Sequence, residues 1–169
     1  MTPFLIRKAD LSEVGRIMEI VGDAQQSLAS RHIDQWQNGY PNSESISADI
    51  DKGVGYVIVA GDEIAAYAAI LINGEPEYKN LVGGQWLSDG DYIVMHRICV
   101  RSSYVRKGLA SSITQYAIDF AKTKGIHSFR IDTHTENRFM LNLLTKFGFT
   151  YCGEIHYEHG DRIAFEKVI

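Results

Sequence analysis

Between Ile98 and Ala110 the chain reads Ile-Cys-Val-Arg-Ser-Ser-Tyr-Val-Arg-Lys-Gly-Leu-Ala. An apolar run ends, a short loop brings two adjacent cations, Arg106 and Lys107, and Gly108 opens an amphipathic stretch. Anion binding is the chemistry such a segment suits. Glycine lets backbone approach a ligand closely, and the amides at a helix start carry the positive end of its dipole. Ser111 and Ser112 add hydroxyl donors. These residues specify a phosphate-like anion along Val105–Ala110 without naming it, and a solvated surface turn is the competing reading. Neither GxxxxGK[ST] nor GxGxxG occurs in the chain, so the usual nucleotide-loop readings lose their support.

His96 lies just upstream on the same apolar run. An imidazole titrates near neutrality and can take a proton from a reacting group; it can equally be a structural residue hydrogen-bonded within a sheet. Downstream, Asp132-Thr-His-Thr-Glu-Asn137-Arg-Phe-Met140 leads to Lys146-Phe147-Gly148-Phe149. His156, His159 and Asp161 resemble a metal cluster on paper, but they fall at an expected hairpin turn and no further ligands converge, so no metal is expected.

The elements that must position these residues follow from periodicity. Phe4–Lys8 reads as a strand, and Asp10 with Glu13 as a capping box. Val14, Ile17, Met18 and Val21 keep helical spacing up to Gly22, and a second helix is expected from about Ala24 to Gln35. Ser43 caps a further short helix ending near Lys52-Gly53. Residues 55–60 and 64–72 form a hairpin, and residues 73–90 a long loop of the kind that is often functional. A strand over 92–100, a helix over 108–124, a strand over 128–133, a helix over 137–147 and a final hairpin complete the chain. Strand, crossover helix and strand imply a parallel pair inside a mixed sheet. The fold class expected is α/β, with a mixed central sheet of about six to seven strands and helices on both faces.

Two of these segments, in this order, resemble the GNAT superfamily of N-acyltransferases. The family's cofactor loop carries Arg or Gln, then Gly three residues on and Gly or Ala two further. Here Val105-Arg106-Lys107-Gly108-Leu109-Ala110 matches at the glycine and the alanine and has Val at the first position. Strand, Asn137 and a helix ending in Gly148-Phe149 match a second family pattern, and the element order fits over essentially the whole chain.

The resemblance implies an acetyl-CoA-dependent N-acetyltransferase acting directly on a primary amine of a small molecule. The alternatives are an acyl-CoA-binding module without transfer, or an enzyme for peptide or protein amines. Val105, Arg106, Lys107, Gly108, Leu109, Ala110 and Ser111 would then hold the cofactor's pyrophosphate. The family's fourth and fifth strands splay apart, so that pantetheine pairs with free backbone of Ile98, Cys99 and Val100, and one amide polarises the thioester carbonyl. Asn137 and Met140 would line the pantetheine, His96 would be the general base, and Trp36 and Tyr40 would form the acceptor wall. Many relatives place a tyrosine as general acid seven residues after Asn137; here that position is Leu144, with Tyr151 and Tyr157 as the nearby substitutes. Many relatives dimerise, so a homodimer is a possible state.

Composition sets the frame for all of this. At 169 residues, 45% apolar and 22% charged, the chain is expected to form a single domain over 1–169. A net charge of −4 with both signs dispersed gives no basic stripe for nucleic acid. No apolar run approaches the ~20 residues that span a bilayer, and the N-terminus lacks a leader pattern. Cys99 and Cys152 form no CxxC pair and read as buried thiols. A cytoplasmic protein is the expectation.

Overall fold

The computed structural model describes residues 3–169. Its strands are β1 (Phe4–Lys8), β2 (Gly55–Ala60), β3 (Glu63–Ile72), β4 (Ile93–Val100), β5 (Ser128–Thr133), β6 (Thr150–Tyr157) and β7 (Gly160–Val168). Its helices are α1 (Val14–Ser30), α2 (Ser43–Asp51), α3 (Leu109–Thr123) and α4 (Arg138–Lys146). The strands form one seven-stranded sheet in the order β1-β2-β3-β4-β5-β7-β6. β4 and β5 pair in parallel across the α3 crossover, while β1–β2, β2–β3, β5–β7 and β6–β7 are antiparallel. The mixed sheet expected from the sequence is therefore present. The β4–β5 ladder consists of two pairs, Ile93↔Phe129 and Val94↔Arg130, near the start of each strand.

The helical N-terminal region departs from expectation. α1 runs unbroken from Val14 to Ser30 with Gly22 inside it, and residues 31–42 form turns and bends rather than a second helix. A mid-helix glycine costs only about 1 kcal/mol. The apolar stripe Ile17, Ile20, Val21 and Leu28 continues past it and is buried, which outweighs that cost. Asp10 and Glu13 do make the predicted capping box, here on a 3-10 turn over Leu11–Glu13 that leads into α1. The cap of α2 is Asn42 rather than Ser43, with its side chain accepting from the Ser45 amide at 2.9 Å.

The chain divides into two compact units. The first comprises the chain up to Ile70 together with His96–Tyr116. Its core joins Ile17, Ile20 and Val21 of α1, Ile46 of α2, Val57 of β2, Tyr67 of β3 and Cys99 of β4. The second comprises Leu71–Met95 and Ala117–Ile169. There Tyr78, Val94, Ile155 and Ala164 are buried, with Leu71, Trp86, Tyr92 and Tyr157 packed against them. The long loop over 73–90 is tied down in this unit. Buried Glu166 accepts from the Leu87 amide at 2.5 Å and from the Ser88 and Ser128 hydroxyls, and the Arg130 guanidinium stacks on Trp86 and Tyr92 while donating to the Ser88 carbonyl at 2.7 Å.

Candidate active site

The anion-binding segment begins where β4 ends. Arg101 anchors this exit: its amide donates to the Ala65 carbonyl at 2.8 Å and its Nε to the Ile64 carbonyl at 2.9 Å. The Ser102 amide donates to Asp23 at 3.0 Å, and a 3-10 turn over Ser102–Tyr104 follows. The Tyr104 hydroxyl donates to Glu63 at 2.7 Å, and Lys107 lies over the Tyr104 ring at 4.6 Å. The frame of the loop is thus fixed on both sides, while Val105, Arg106, Lys107 and Gly108 are exposed.

Within that frame Arg106 and Gly108 both take left-handed backbone, at φ 66° and 81°. Glycine adopts this at little cost, whereas arginine pays about 1–2 kcal/mol. A Cβ built on Gly108 meets nothing within 4 Å, so the approach to its backbone is open. The first α3 ladder bond runs from the Ser112 amide to the Gly108 carbonyl at 2.9 Å, so the amides of Leu109 and Ala110 precede the ladder, as the first amides of any helix do. Amides at a helix start with two cations beside them suit a pyrophosphate in both charge and geometry.

On β4, Arg97 has φ 55°. One left-handed residue in mid-strand breaks period-two alternation and re-aims the side chains beyond it. Cys99 is buried in the core with Tyr67, and Ile98 and Val100 are partly exposed. His96, immediately before this irregularity, is partly buried. Burial pushes the Cys99 thiol up to about 12.

The Arg97 side chain carries a network that the sequence reading missed. It makes a two-point ion pair with Asp49 of α2 at 2.5 and 2.7 Å, and it donates to the Tyr40 hydroxyl at 2.5 Å. Tyr67 donates to the same Asp49 carboxylate at 2.7 Å. Burial, then the Asp49 charge, raises the Tyr67 phenol above its ordinary value. The available signal was a charged residue inside the apolar run Ile93–Val100 and another inside the short helix α2. Two glutamines hold the loop that carries Trp36 and Tyr40: Gln37 donates to the Gln25 carbonyl at 3.0 Å, and Gln25 reaches the Tyr40 and Pro41 carbonyls at 3.4 Å. Trp36 packs against the core, and Tyr40 is exposed at its ring.

Trp36, Tyr40, His96, Ile98–Val100 and Val105–Ser111 all belong to the first unit, whereas Asn137 and Met140 belong to the second. Asn137 is the N-cap of α4, accepting from the Met140 amide at 3.3 Å, and both residues are buried. Leu144 is buried on the inner face of α4. Among the described residues no group of three or more His, Cys, Asp or Glu could hold a metal ion, and no helix is long and apolar enough to cross a membrane.

Comparison with known proteins gives these features a family. The model of the acetyltransferase (GNAT) family matches residues 23–149. A GNAT-family acetyltransferase from Streptococcus agalactiae is 34% identical with a TM-score of 0.90, covering 98% of this chain and 95% of its own. A GNAT-family acetyltransferase from Listeria monocytogenes shares the fold at 17% identity and a TM-score of 0.77, with 98% and 95% covered. So does a Salmonella typhimurium protein solved with its cofactor acetyl-CoA, at 18% identity and a TM-score of 0.67, with 98% and 93% covered. No curated protein matches in sequence. The chain belongs to the GNAT family of acetyltransferases and is an acyltransferase that uses acetyl-CoA as its acetyl donor.

Proposed function

We propose that this enzyme acetylates the primary amine of a small molecule, within one catalytic domain spanning 1–169 that acts in the cytoplasm, with a homodimer as its possible assembly. The observation that carries the reading is the cofactor loop: left-handed Arg106 and Gly108, open space over Gly108, and the α3 amides behind two cations. Val105–Ser111 hold the pyrophosphate there, and the lost arginine or glutamine at Val105 removes one side-chain contact while the backbone cradle stays. Bound acetyl-CoA supplies an activated acyl carbonyl. The backbone of Ile98, Cys99 and Val100 orients the pantetheine, and an amide of this segment stabilises charge on the carbonyl oxygen. Asn137 and Met140, at the start of α4, are the further pantetheine candidates that the family resemblance assigns.

An alkylammonium has a pKa of ~10.4, so its proton must leave before the nitrogen attacks. His96 takes that proton, directly or through one water. Trp36 and Tyr40 form the acceptor wall. A wall packed on the core and pinned by Gln25, Gln37 and Arg97 suits a small acceptor better than a long flexible tail. With Leu144 in the core, the family's general-acid position offers no proton donor, so water would have to protonate the CoA sulfur. Tyr157 is a poor substitute acid, because burial and then the Asp132 charge raise its phenol above the ordinary value.

The test is His96→Gln. Turnover should fall by about 100-fold or more, with CoA affinity retained. An unchanged rate would remove His96 from the mechanism.

A further inference from the structure

The backbone of Arg97 is strained in the middle of β4. Its φ of 55° lies in the left-handed region, which is costly for a residue with a side chain and persists only where the surroundings over-determine it. Here the side chain's own partners do so. The guanidinium grips both Asp49 oxygens, Nε to Oδ2 at 2.7 Å and Nη2 to Oδ1 at 2.5 Å, while Nη1 donates to the Tyr40 hydroxyl. Asp49 is held in turn. It is buried on α2, and its Oδ2 also accepts from the Tyr67 hydroxyl of β3 at 2.7 Å.

The strained residue stands immediately before Ile98, Cys99 and Val100. Beyond it the segment is pinned twice: Cys99 is buried in the core with Tyr67, and the Arg101 amide donates to the Ala65 carbonyl at 2.8 Å. The torsion at Arg97 therefore sets where the amides and carbonyls between these points aim, because a left-handed residue turns the following peptide planes out of the regular ladder. Released from its partners, an L-residue relaxes toward extended backbone, and the apparent affinity of a ligand falls with the fraction of molecules that keep the bound geometry. Tyr40, Asp49, Tyr67 and Arg97 to Arg101 all lie in the first compact unit.

Glycine would take the same φ without strain, but it would leave it as readily. A two-point ion pair behaves differently: both guanidinium–carboxylate bonds must be made in register, so the fork fixes a geometry as well as a charge. We propose that Asp49 and Arg97 are positioning residues for donor binding: Asp49, through the Arg97 guanidinium, locks the left-handed turn of β4 and so holds the backbone of Ile98–Val100 ready for the pantetheine arm of acetyl-CoA. The inference rests on the reading of Ile98–Val100 as the pantetheine contact and adds the side-chain pair that keeps that backbone in place.

The test titrates the full chain by calorimetry with CoA and with adenosine 3′,5′-bisphosphate, which is CoA lacking its phosphopantetheine arm. The wild type is compared with Asp49→Ala and with the double variants Asp49→Asn/Arg97→Ala and Asp49→Asn/Arg97→Gly. The double variants leave no buried charge unpaired, keep an acceptor for the Tyr67 hydroxyl and differ from each other by one methyl group. Their comparison therefore stands even where Asp49→Ala fails to fold. CoA affinity should drop about 5–30-fold in Asp49→Ala and in Asp49→Asn/Arg97→Ala, the left-handed penalty of an L-residue read as a population. It should return to within about 3-fold of the wild type in Asp49→Asn/Arg97→Gly, because glycine keeps the turn accessible. The KM for acetyl-CoA should follow CoA affinity, and affinity for the bisphosphate should not change. Equal CoA affinity in the two double variants, or a loss shared equally by CoA and the bisphosphate, would overturn the proposal. Wild-type CoA binding no tighter than that of the bisphosphate would instead refute the pantetheine reading of Ile98–Val100, and the proposal with it.

Discussion

Arg97 grips both carboxylate oxygens of Asp49, with Nε 2.7 Å from Oδ2 and Nη2 2.5 Å from Oδ1. Both side chains are largely buried. Removing one member leaves an uncompensated buried charge, which costs about 3–5 kcal/mol. Asp49→Ala should therefore lower Tm by roughly 10 °C, at about 2–4 °C per kcal/mol for a chain of this size. A thermal scan showing a shift below about 2 °C would contradict the assignment of this pair as a structural strut.

The same guanidinium meets the Tyr40 hydroxyl, at 2.5 Å. Tyr40→Phe keeps the ring and removes that tie. Acceptor KM should rise by about 10–100-fold, the range set by one lost hydrogen bond to a charged group, while the KM for acetyl-CoA stays constant. A change confined to acetyl-CoA would place Tyr40 in the donor site instead.

Gly108 separates backbone conformation from space. Nothing lies within 4 Å of a Cβ there, but φ is 81°. Gly108→Ala should cost about 1–2 kcal/mol of stability through left-handed strain and weaken CoA binding modestly. Gly108→Glu adds a carboxylate where the pyrophosphate is held and should abolish measurable CoA binding by calorimetry. Retained affinity in Gly108→Glu would refute the loop assignment.

Much of this architecture was legible in the sequence, because the apolar periodicity of β2 to β4, α3 and α4 is strong and the glycine at α3 has a local cause. Gly22 misleads as a helix end because a weak local breaker sits inside an apolar stripe that continues through Leu28. The Asp49–Arg97–Tyr67 network and the Asp132–Tyr78–Tyr157 cluster were not legible. Their hydrogen-bonded partners stand 18 to 54 positions apart in sequence, and a helix, a loop turn and strands come together there only in the tertiary fold. His96 illustrates the opposite limit. Its strand was legible, but the left-handed Arg97 beside it changes which side chains share a face, and no local pattern signals that turn.

Glu166 predicts the acid limit of the fold. Desolvation alone would raise its carboxyl, but hydrogen bonds from Ser128, Ser88 and the Leu87 amide, together with Arg130, hold it below the ordinary glutamate range. Its contribution is therefore fully present above the unfolded value of ~4.3 and is lost as pH falls through the lower folded value. Glu13, lowered first by its hydrogen bond from Arg7, acts in the same direction. Stability measured by denaturant should decline below about pH 4.3, and Glu166→Gln should flatten part of that decline while costing about 1–3 kcal/mol at neutral pH. An identical acid profile in the variant would remove Glu166 as a cause.

The two cysteines should be silent in a thiol assay. Cys99 is buried with its thiol pushed up to about 12, and Cys152 is buried and raised by desolvation first. Thiolate is the reactive form, so a chromogenic disulfide reagent at neutral pH should titrate neither thiol in the native enzyme and both after denaturation. Rapid native labelling would contradict this burial.

That silence makes free CoA directly readable against the enzyme, which is the measurement that matters most. Acetyl-CoA is mixed with the enzyme and a panel of small primary amines, and thiol release is followed against amine concentration. The account predicts a saturable, amine-dependent release of CoA that vanishes in Gly108→Glu and falls steeply in His96→Gln. Tight CoA binding with no release on any small amine would contradict it.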